Sequence, residues 1–361
     1  MRRGVPDRPT ALWVVPVSNL AGVARHVLDV ARVGLPGWRL VVAAPEGPLL
    51  QELRAMRAET LSLDIAPGVR LDQAVANFRA AVKAVRPQVV HTHLARADLL
   101  SAMATVGLPV RLVSTEHHIP PDRFMFHPTL ARAKAMEAVH HQRLKRFDRL
   151  IAVSASTRRD MLSYWRPNQP VTVILNGVDR PADRPQREPG LKFLSLARLS
   201  PEKNIAMTLR GFAGVLAQEP SARLTVGGTG EAESSLKKLA AELGITSAVD
   251  FAGFIDSTAA MAEHDVVLQP SKSDNCSYTL LDAVAAGMGV AASPIGGNPE
   301  ILPEHCIAEL DDLDGFVRIA LEQAREVDRR PELPDEVPTV VQLTRRIVNE
   351  YAQAPKPRRW R

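Results

Sequence analysis

The sequence lacks the features that mark membrane-spanning and secreted proteins. Its 361 residues contain no run of about eighteen apolar residues, the length that a helix needs to cross a bilayer. Residues 1–10 are charged and contain prolines, without the apolar middle of a signal peptide. The two cysteines, Cys276 and Cys306, have neither metal-binding spacing nor the pattern of a disulfide framework. We therefore expect a cytoplasmic protein.

Aromatic residues are also scarce, at 4% of the chain. The net charge of +5 permits acidic partners but names none. Proteins that bind single-stranded nucleic acid interleave basic residues with aromatic residues on which bases stack, and that pattern is missing here. We expect no nucleic-acid partner.

What the chain does contain is an alternation of short β-branched runs with longer segments of helical period. This alternation predicts βαβ units, and therefore an α/β fold with parallel sheets. The predicted strands are residues 11–17, 39–44, 88–92, 110–114, 149–153 and 171–175 in the first half, and 191–197, 223–226, 265–268 and 290–292 in the second.

The chain length suits two domains. Residues 179–190 are rich in proline and charge without periodicity, which is typical of a linker. We therefore place one domain at residues 1–178 and another at residues 191–335. An amphipathic segment at residues 339–352 predicts a last helix that crosses back to the first domain.

Two cations follow the first predicted strand of the second domain. Arg198 lies at the strand exit, and Lys203 lies five residues later, where a helix begins. Ligands of open α/β sheets bind at this carboxyl edge, and a guanidinium fork with an ammonium suits a diphosphate. On its own, the pair is more typical of two solvated surface cations.

Glycine-rich turns follow two further strands. Gly228 and Gly230 stand between a strand and a helix, where backbone N–H groups can approach an anion closely. The full G-x-G-x-x-G pattern is missing, so a nicotinamide cofactor is not predicted. Gly297 and Glu300 belong to a similar loop at residues 296–300.

Asp274 and Asp282, eight residues apart, flank the start of a predicted helix. Carboxylates accept hydrogen bonds from paired hydroxyl groups such as those of sugars. Together with the cations and the glycine turns, these aspartates predict a pocket for a nucleoside diphosphate that carries a sugar.

The first half contributes a loop and a set of histidines. Gly22 leads from the first strand into a helix whose N–H groups can face a phosphate. His93 ends one strand, and His117 and His118 follow the next. Histidines at strand exits are candidates for hydrogen bonding or proton transfer.

A metal site made of His91, His93, His117 and Glu116 is an alternative interpretation of these histidines. No H-E-x-x-H or C-x-x-C motif supports it. We therefore expect neither a metal nor a cofactor.

With these residues assembled, the chain resembles the retaining GT-B glycosyltransferases of family 4, most strongly over residues 191–302. The motifs that carry the likeness are Arg198 with Lys203, Gly228-Thr-Gly230-Glu231, Asp274 with Asp282, Gly296-Gly297-Asn-Pro-Glu300, and the joint Asn176-Gly177-Val-Asp179. The resemblance implies two Rossmann-like parallel-sheet domains facing a cleft, with a C-terminal helix returning to the first domain.

The resemblance also implies roles for individual residues. Arg198 and Lys203 would bind the donor diphosphate, Asp282 the ribose and Asp274 the transferred sugar. Gly22, Gly228, Gly230, Gly297 and Glu300 would complete the donor site. His117 matches the histidine of the family's T-x-H segment and is expected to be catalytic with Arg198, Lys203 and Asp274. His93 and His118 are placed on the acceptor side.

The expected function is transfer of a hexose or N-acetylhexosamine from a UDP- or GDP-sugar to a hydroxyl of a glycan or lipid-linked acceptor. In the family this transfer retains the anomeric configuration, needs no metal and serves polysaccharide or glycoconjugate biosynthesis. Two motif glutamates are aspartates here, at 274 and 282, which leaves a catalytically silent nucleotide-sugar-binding or partner-binding subunit as one alternative. A sugar-nucleotide epimerase is another, although Glu116 is the only candidate acid or base for it.

A basic segment of helical period at residues 129–147 follows a proline-bounded loop with apolar residues at 119–128. Its cations, Arg143 among them, predict weak peripheral attachment to the inner face of an anionic membrane. A core-packing helix with a solvated charged face is the alternative.

Overall fold

The computed structural model describes residues 8–119, 129–183 and 185–354. The chain divides into two compact units. The first domain comprises Met1–Gly177 and Pro338–Arg361, and the second comprises Val178–Val337.

The first domain is built on a parallel sheet of seven strands in the order β3-β2-β1-β4-β5-β6-β7. The strands are β1 (Thr10–Val14), β2 (Arg39–Ala44), β3 (Thr60–Ser62), β4 (Val89–His93), β5 (Arg111–Glu116), β6 (Arg149–Ala152) and β7 (Val171–Val173). The helices between them are α1 (Gly22–Val33), α2 (Pro48–Ala55), α3 (Leu71–Val85), α4 (Ala95–Ala104), α5 (Leu130–Leu144) and α6 (Ala155–Asp160), which continues into a π-helix at Met161–Trp165.

The second domain is built on a parallel sheet of five strands in the order β10-β9-β8-β11-β12. The strands are β8 (Lys192–Leu196), β9 (Arg223–Gly227), β10 (Val249–Gly253), β11 (Val266–Gln269) and β12 (Gly289–Ala292). The helices are α7 (Ile205–Gln218), α8 (Glu233–Glu242), α9 (Ser257–Glu263), α10 (Tyr278–Ala285), α11 (Asn298–Ile301) and α12 (Leu313–Arg325), with short 3-10 turns at Pro201–Lys203, Thr246–Ala248, Glu304–Cys306 and Val327–Arg329.

The last helix, α13 (Val340–Gln353), belongs to the first domain, so the chain returns there after completing the second. A capping box starts it: Thr339 accepts from the backbone N–H of Gln342, and the Gln342 side chain accepts from the backbone N–H of Thr339. At its other end Tyr351 is fully buried in the first domain's core. The predicted crossing helix is confirmed.

The cores follow from the strand period. In β1 all five residues are buried, and successive side chains enter different apolar clusters. Leu12 packs with Phe78 on one face, whereas Trp13 packs with Tyr351 on the other. Burial on both faces is the reason why these strands are continuous apolar runs. The predicted α/β fold with two parallel sheets is therefore confirmed.

Two strands, β3 and β10, were not predicted from the sequence. Each is the outermost strand of its sheet and is only partly buried. An edge strand pairs on one side alone, so it needs a less continuous apolar run. Within the described residues, no helix combines the length and apolar character required to cross a membrane.

Candidate functional site

The second sheet has a switch point at its central strand, β8, which pairs with β9 on one side and with β11 on the other. Ligands of open α/β sheets bind beyond the carboxyl ends of the strands at such a point. Lys203 follows β8, and Asp274 follows β11. The structure brings them together: Lys203 Nζ lies 2.8 Å from Asp274 Oδ2, with side chains 22% and 15% exposed. The pair is accessible to a ligand without being fully solvated.

Arg198, the other predicted cation, extends into solvent with its side chain 67% exposed. Its guanidinium donates to Glu202 Oε1 at 2.7 Å, and the Ser200 hydroxyl donates to the same oxygen at 2.7 Å. Arg198 and Lys203 are thus held by two different carboxylates. Glu202 was missed by the sequence analysis, although its place four residues after Arg198 is a signal for an ion pair.

Asp274 is oriented by a small amide and hydroxyl network. Gln269 donates through Nε2 to Asp274 Oδ2 at 3.3 Å, and the Ser277 hydroxyl donates to Gln269 Oε1 at 3.0 Å. The backbone N–H of Asn275 donates to Asp274 Oδ1 at 3.0 Å. Gln269 is a further residue that the sequence analysis missed, because a glutamine at the end of a strand carries no distinctive signal.

The Gly228 turn packs against the segment that carries Arg198. Gly228 has φ +131°, and a Cβ there would collide with the carbonyl oxygen of Ala197. A Cβ on Gly230 would collide with the backbone of Leu199, whose N–H donates to the carbonyl of Thr229 at 2.9 Å. The glycines are therefore required by contact between two loops, and their contact with a ligand stays a prediction.

The loop after β12 supports the Asp274 loop in the same way. Gly296 has φ +60°, and a Cβ there would collide with the carbonyl of Asp274. Gly297, singled out from the sequence, donates its N–H to the Asn275 carbonyl at 2.7 Å. Glu300 is partly buried on α11, and Asp282 is partly buried on α10.

In the first domain, strand alternation sorts the polar residues of β4 onto two faces. His91 and His93 share a face with Trp13, whose ring centroid lies 4.8 Å and 4.6 Å from theirs. Thr92 points to the opposite face and donates to Asp98 at 2.5 Å. We call His26, His91, His93 and His117 the histidine cluster.

The last helix fixes His91. Trp13 Nε1 donates to the Tyr351 hydroxyl at 2.8 Å, and that hydroxyl lies 2.7 Å from His91 Nδ1. His91 Nε2 lies 2.7 Å from Thr115 Oγ1. Because both ring nitrogens have partners, His91 serves as a support for its neighbours.

The other three histidines lie against one another. His93 Nδ1 is 2.9 Å from His117 Nε2, and the His26 and His117 ring centroids are 4.9 Å apart. His26 Nδ1 lies 3.2 Å from Asn176 Oδ1. His26 and His93 are buried, whereas His117 and His118 are partly exposed. His26 was not among the site residues expected from the sequence.

Burial keeps these imidazoles neutral. It lowers the pKa of His26 to about 4, against a smaller opposing effect of the hydrogen bond to Asn176. Burial, and the proximity of other imidazoles, also hold the pKa values of His91, His93 and His117 well below their usual range. At neutral pH these side chains can donate or accept hydrogen bonds, but they do not supply a proton as imidazolium.

The opposite face of the same sheet edge carries a buried ion network, formed by Arg143, Asp98 and Glu116. Arg143 on α5 is 1% exposed, pairs with Asp98, and lies 3.2 Å from Glu116 Oε2. Burial raises the pKa of Asp98 and raises that of Glu116 to about 7, with Arg143 opposing both shifts. Glu116 is thus turned away from the histidine cluster and cannot complete the metal site suggested by the sequence.

This network also corrects the interpretation of α5. Arg143 was predicted to lie on a basic membrane-facing surface, but it is buried and stacks 5.0 Å from the Trp165 ring. Leu144 and Phe147 are buried as well. These three residues favour the core-packing alternative for this end of the helix. Most of the preceding loop, residues 120–128, lies outside the described residues.

Gly22 is exposed and is the first residue of α1. The preceding residue, Ala21, makes no side-chain hydrogen bond to the first N–H groups of the helix. A helix start of this kind attracts anions, and the place of Gly22 beside a phosphate stays a prediction.

Comparison with known families agrees with this division of the chain. Residues 20–180 match the family model Glycosyltransferase Family 4, and residues 179–308 match the model Glycosyl transferases group 1.

Individual relatives are distant. The chain is 32% identical over 160 residues to the alpha-monoglucosyldiacylglycerol synthase of Streptococcus pneumoniae, covering 39% of this chain and 36% of the relative. It is 28% identical over 236 residues to the D-inositol 3-phosphate glycosyltransferase of Geodermatophilus obscurus, covering 58% and 52%. The chain thus spans about half the length, or less, of these curated relatives.

Among solved structures, the Anabaena protein HepE in complex with UDP-glucose is similar, with a TM-score of 0.74 at 17% identity over 96% of this chain and 100% of that one. This likeness concerns the fold. Each of the two domains therefore matches a glycosyltransferase family model, and the chain has the fold of the GT-B glycosyltransferases.

Proposed function

We propose that this protein transfers a hexose or N-acetylhexosamine from a UDP- or GDP-sugar to a hydroxyl group, with retention of configuration. The observation that carries the proposal is the ion pair between Lys203 and Asp274 at the switch point of the second sheet. It sets a cation for a leaving diphosphate beside a carboxylate for a sugar hydroxyl. HepE is described in complex with UDP-glucose, which supports a nucleotide-sugar donor.

The two cations would bind the diphosphate by exchanging partners. In the structure Lys203 is paired with Asp274, and Arg198 is paired with Glu202. A diphosphate carries more charge than either carboxylate, so it would attract both cations and release Asp274 toward the sugar. Because Arg198 and Lys203 stabilise the leaving group, the reaction would need neither a divalent metal nor a cofactor.

Asp282 would hold the ribose, and Gly22 would lie beside the phosphates. Gly228, Gly230, Gly297 and Glu300 would shape the donor site. In the first domain, His117 would donate a hydrogen bond to the transferred sugar, which suits a neutral imidazole. His93 and His118 would face the acceptor.

The acceptor would be a glycan or a lipid-linked molecule in polysaccharide or glycoconjugate biosynthesis. The names of the relatives support this class, since they include a glucosyldiacylglycerol synthase and an inositol phosphate glycosyltransferase. A catalytically silent subunit remains the second candidate, because aspartates at positions 274 and 282 replace the glutamates of the family motif.

A panel of radiolabelled UDP- and GDP-sugars, incubated with the protein and a mixture of glycan and lipid acceptors, tests the proposal. We expect one donor to transfer label to an acceptor, equally with and without EDTA. Donor binding by calorimetry without transfer would favour the silent subunit. Conversion of the donor into an epimer would favour the epimerase. Absence of binding by every donor would refute the proposal.

A further inference from the structure

Three imidazoles from three separate elements converge in the first domain. His26 comes from α1, His93 ends β4, and His117 follows β5. One ring nitrogen from each lies within 4.8 Å of those of the other two. Two imidazole nitrogens bound to one tetrahedral Zn²⁺ are about 3.3 Å apart, since each Zn–N bond is about 2.0 Å. The 2.9 Å between His93 Nδ1 and His117 Nε2 is close to that value. A small rotation of the His26 ring would bring its nitrogen to a similar distance from the other two.

The His26 ring is already arranged as a metal ligand. Its Nδ1 faces the side-chain oxygen of Asn176 at 3.2 Å, and because an amide oxygen only accepts, the proton resides on Nδ1. The lone pair of Nε2 is therefore available, and this buried atom has no hydrogen-bond partner. Histidines that bind metals usually donate their other N–H to an oxygen in this way.

His93 Nδ1 and His117 Nε2 form one hydrogen bond, so a single proton lies between these two nitrogens. A metal ion would replace that hydrogen bond by one bond to each nitrogen. The displaced proton would move to the opposite nitrogen of the ring that carried it, so both rings stay neutral. His93 Nε2, which is also buried and without a hydrogen-bond partner, offers an alternative ligand atom on the same ring.

The neighbouring groups decide which metal fits. His91 uses both nitrogens for Tyr351 and Thr115, and Glu116 is paired with Arg143, so neither is available. Three imidazoles without a carboxylate suit Zn²⁺, Co²⁺, Ni²⁺ or Cu²⁺, and they do not suit Mg²⁺ or Ca²⁺. The partial exposure of His117 leaves a side from which an ion and one water can enter.

We infer that His26, His93 and His117 form a transition-metal site in the first domain that takes Zn²⁺ through three imidazoles and one water. The site is separate from the proposed diphosphate chemistry, which needs no metal. Its effect on catalysis rests on the proposed function: if His93 and His117 contact substrates, then Zn²⁺ on these rings inhibits transfer.

Metal titration tests the site without any nucleotide sugar. The protein, purified without a histidine tag and treated with EDTA, is titrated with ZnCl₂ by calorimetry and with CoCl₂ by visible absorption. We expect one ion per chain and the intense absorption of tetrahedral Co²⁺. A spectrum identical to that of Co²⁺ in buffer would overturn the inference, and this readout needs no variant.

Variants locate the ion. His26→Ala and His117→Ala should each abolish stoichiometric binding, whereas His305→Ala, which removes an exposed histidine of the second domain, should leave it unchanged. Asn176→Ala should weaken Zn²⁺ about 10- to 100-fold, the usual cost of losing a residue that orients a ligand. Tryptophan fluorescence confirms that the first domain of each variant, which carries the proposed site, is folded. Unchanged affinity in His26→Ala or His117→Ala would refute the assignment.

Transfer assays then separate the two proposals. If Zn²⁺ binds and inhibits transfer in the wild type but inhibits His26→Ala much less, both the site and the role of the histidines are supported. If Zn²⁺ binds with no effect on transfer, the metal site stands and the placement of His93 and His117 at the substrates is wrong.

Discussion

Replacing Arg143 by methionine should destabilise the first domain more than any surface substitution. Arg143 is 1% exposed, and Asp98 and Glu116, the carboxylates it faces, are 0% and 3% exposed. Methionine keeps much of the side-chain volume but leaves both carboxyl groups without their cation. Removing one partner of a buried ion network costs about 3–5 kcal/mol. For a domain of this size, that corresponds to a decrease in Tm of roughly 6–20 °C.

The loss of stability in Arg143→Met, relative to wild type, should depend on pH in a defined direction. Burial already raises the pKa of Glu116 to about 7 and raises that of Asp98, and Arg143 opposes both shifts, so its removal raises both values further. Between the ordinary carboxyl pKa and the raised one, the folded variant binds more protons than the unfolded chain. Its stability therefore decreases as pH rises through that range. We expect a smaller difference from wild type at pH 5.5 than at pH 8.

Tryptophan fluorescence isolates this domain, because all four tryptophans fall within its sequence ranges. Urea unfolding of Arg143→Met is compared with that of Arg146→Met, which removes an exposed cation three residues away and should change stability by less than about 0.5 kcal/mol. Asp98→Asn and Glu116→Gln, added to Arg143→Met, should restore part of the loss. Equal midpoints for the two single variants would refute the reasoning.

Three further predictions concern the site and its surroundings. Lys203→Met should lower kcat/KM about 100- to 1,000-fold by removing one contact to the developing charge, while Lys238→Met, an exposed control, keeps near-normal kinetics; equal kinetics would contradict the role. Gly228→Ala should lower the stability of the second domain and its donor affinity more than Gly244→Ala, because both have positive φ but only Gly228 would also collide with backbone. Although Arg143 is buried, Lys134, Lys145 and Arg146 are exposed, so co-sedimentation should show weak binding to anionic vesicles at low salt; no pelleting, or equal pelleting with neutral vesicles, would contradict the proposed membrane contact.

The sequence was sufficient for those features that depend on local pattern and chain order. Alternating apolar runs predicted both parallel sheets, and residues placed just after strands were expected at the carboxyl edge, where Lys203 and Asp274 indeed meet. The partner of each cation was not predictable. Arg198 and Lys203 are five residues apart but bind different carboxylates, because the 3-10 turn at Pro201–Lys203 separates them.

The error on Arg143 has a physical cause. A helix with cations on one stripe and apolar residues on another fits both a membrane surface and a domain core. The partners that decide the matter, Asp98 and Glu116, lie 45 and 27 residues away. At such separations, a single sequence gives no sign that these carboxylates contact Arg143.

His26 could have been noticed from its spacing. It occupies the same helical stripe as Val23, Val27 and Val30, and this spacing indicates a histidine that faces the sheet. The pattern does not identify the residue that His26 contacts, because Asn176 is 150 residues away and belongs to the segment that joins the domains.

Strand β4 ties these two parts of the first domain together. Its alternation sends His91 and His93 to the neutral histidine cluster and sends Thr92 to Asp98 in the ion network. Next to β4, strand β5 places Glu116 in the network, and the following residue, His117, joins the cluster. The ion network on one face of the sheet therefore holds the ends of β4 and β5 in place. The neutral histidines on the other face are positioned by these strand ends and need no ion pairs of their own. A binding site needs rigid support of this kind. This need explains why Arg143, Asp98 and Glu116 are buried next to the histidine cluster although they lie on the opposite face of the sheet.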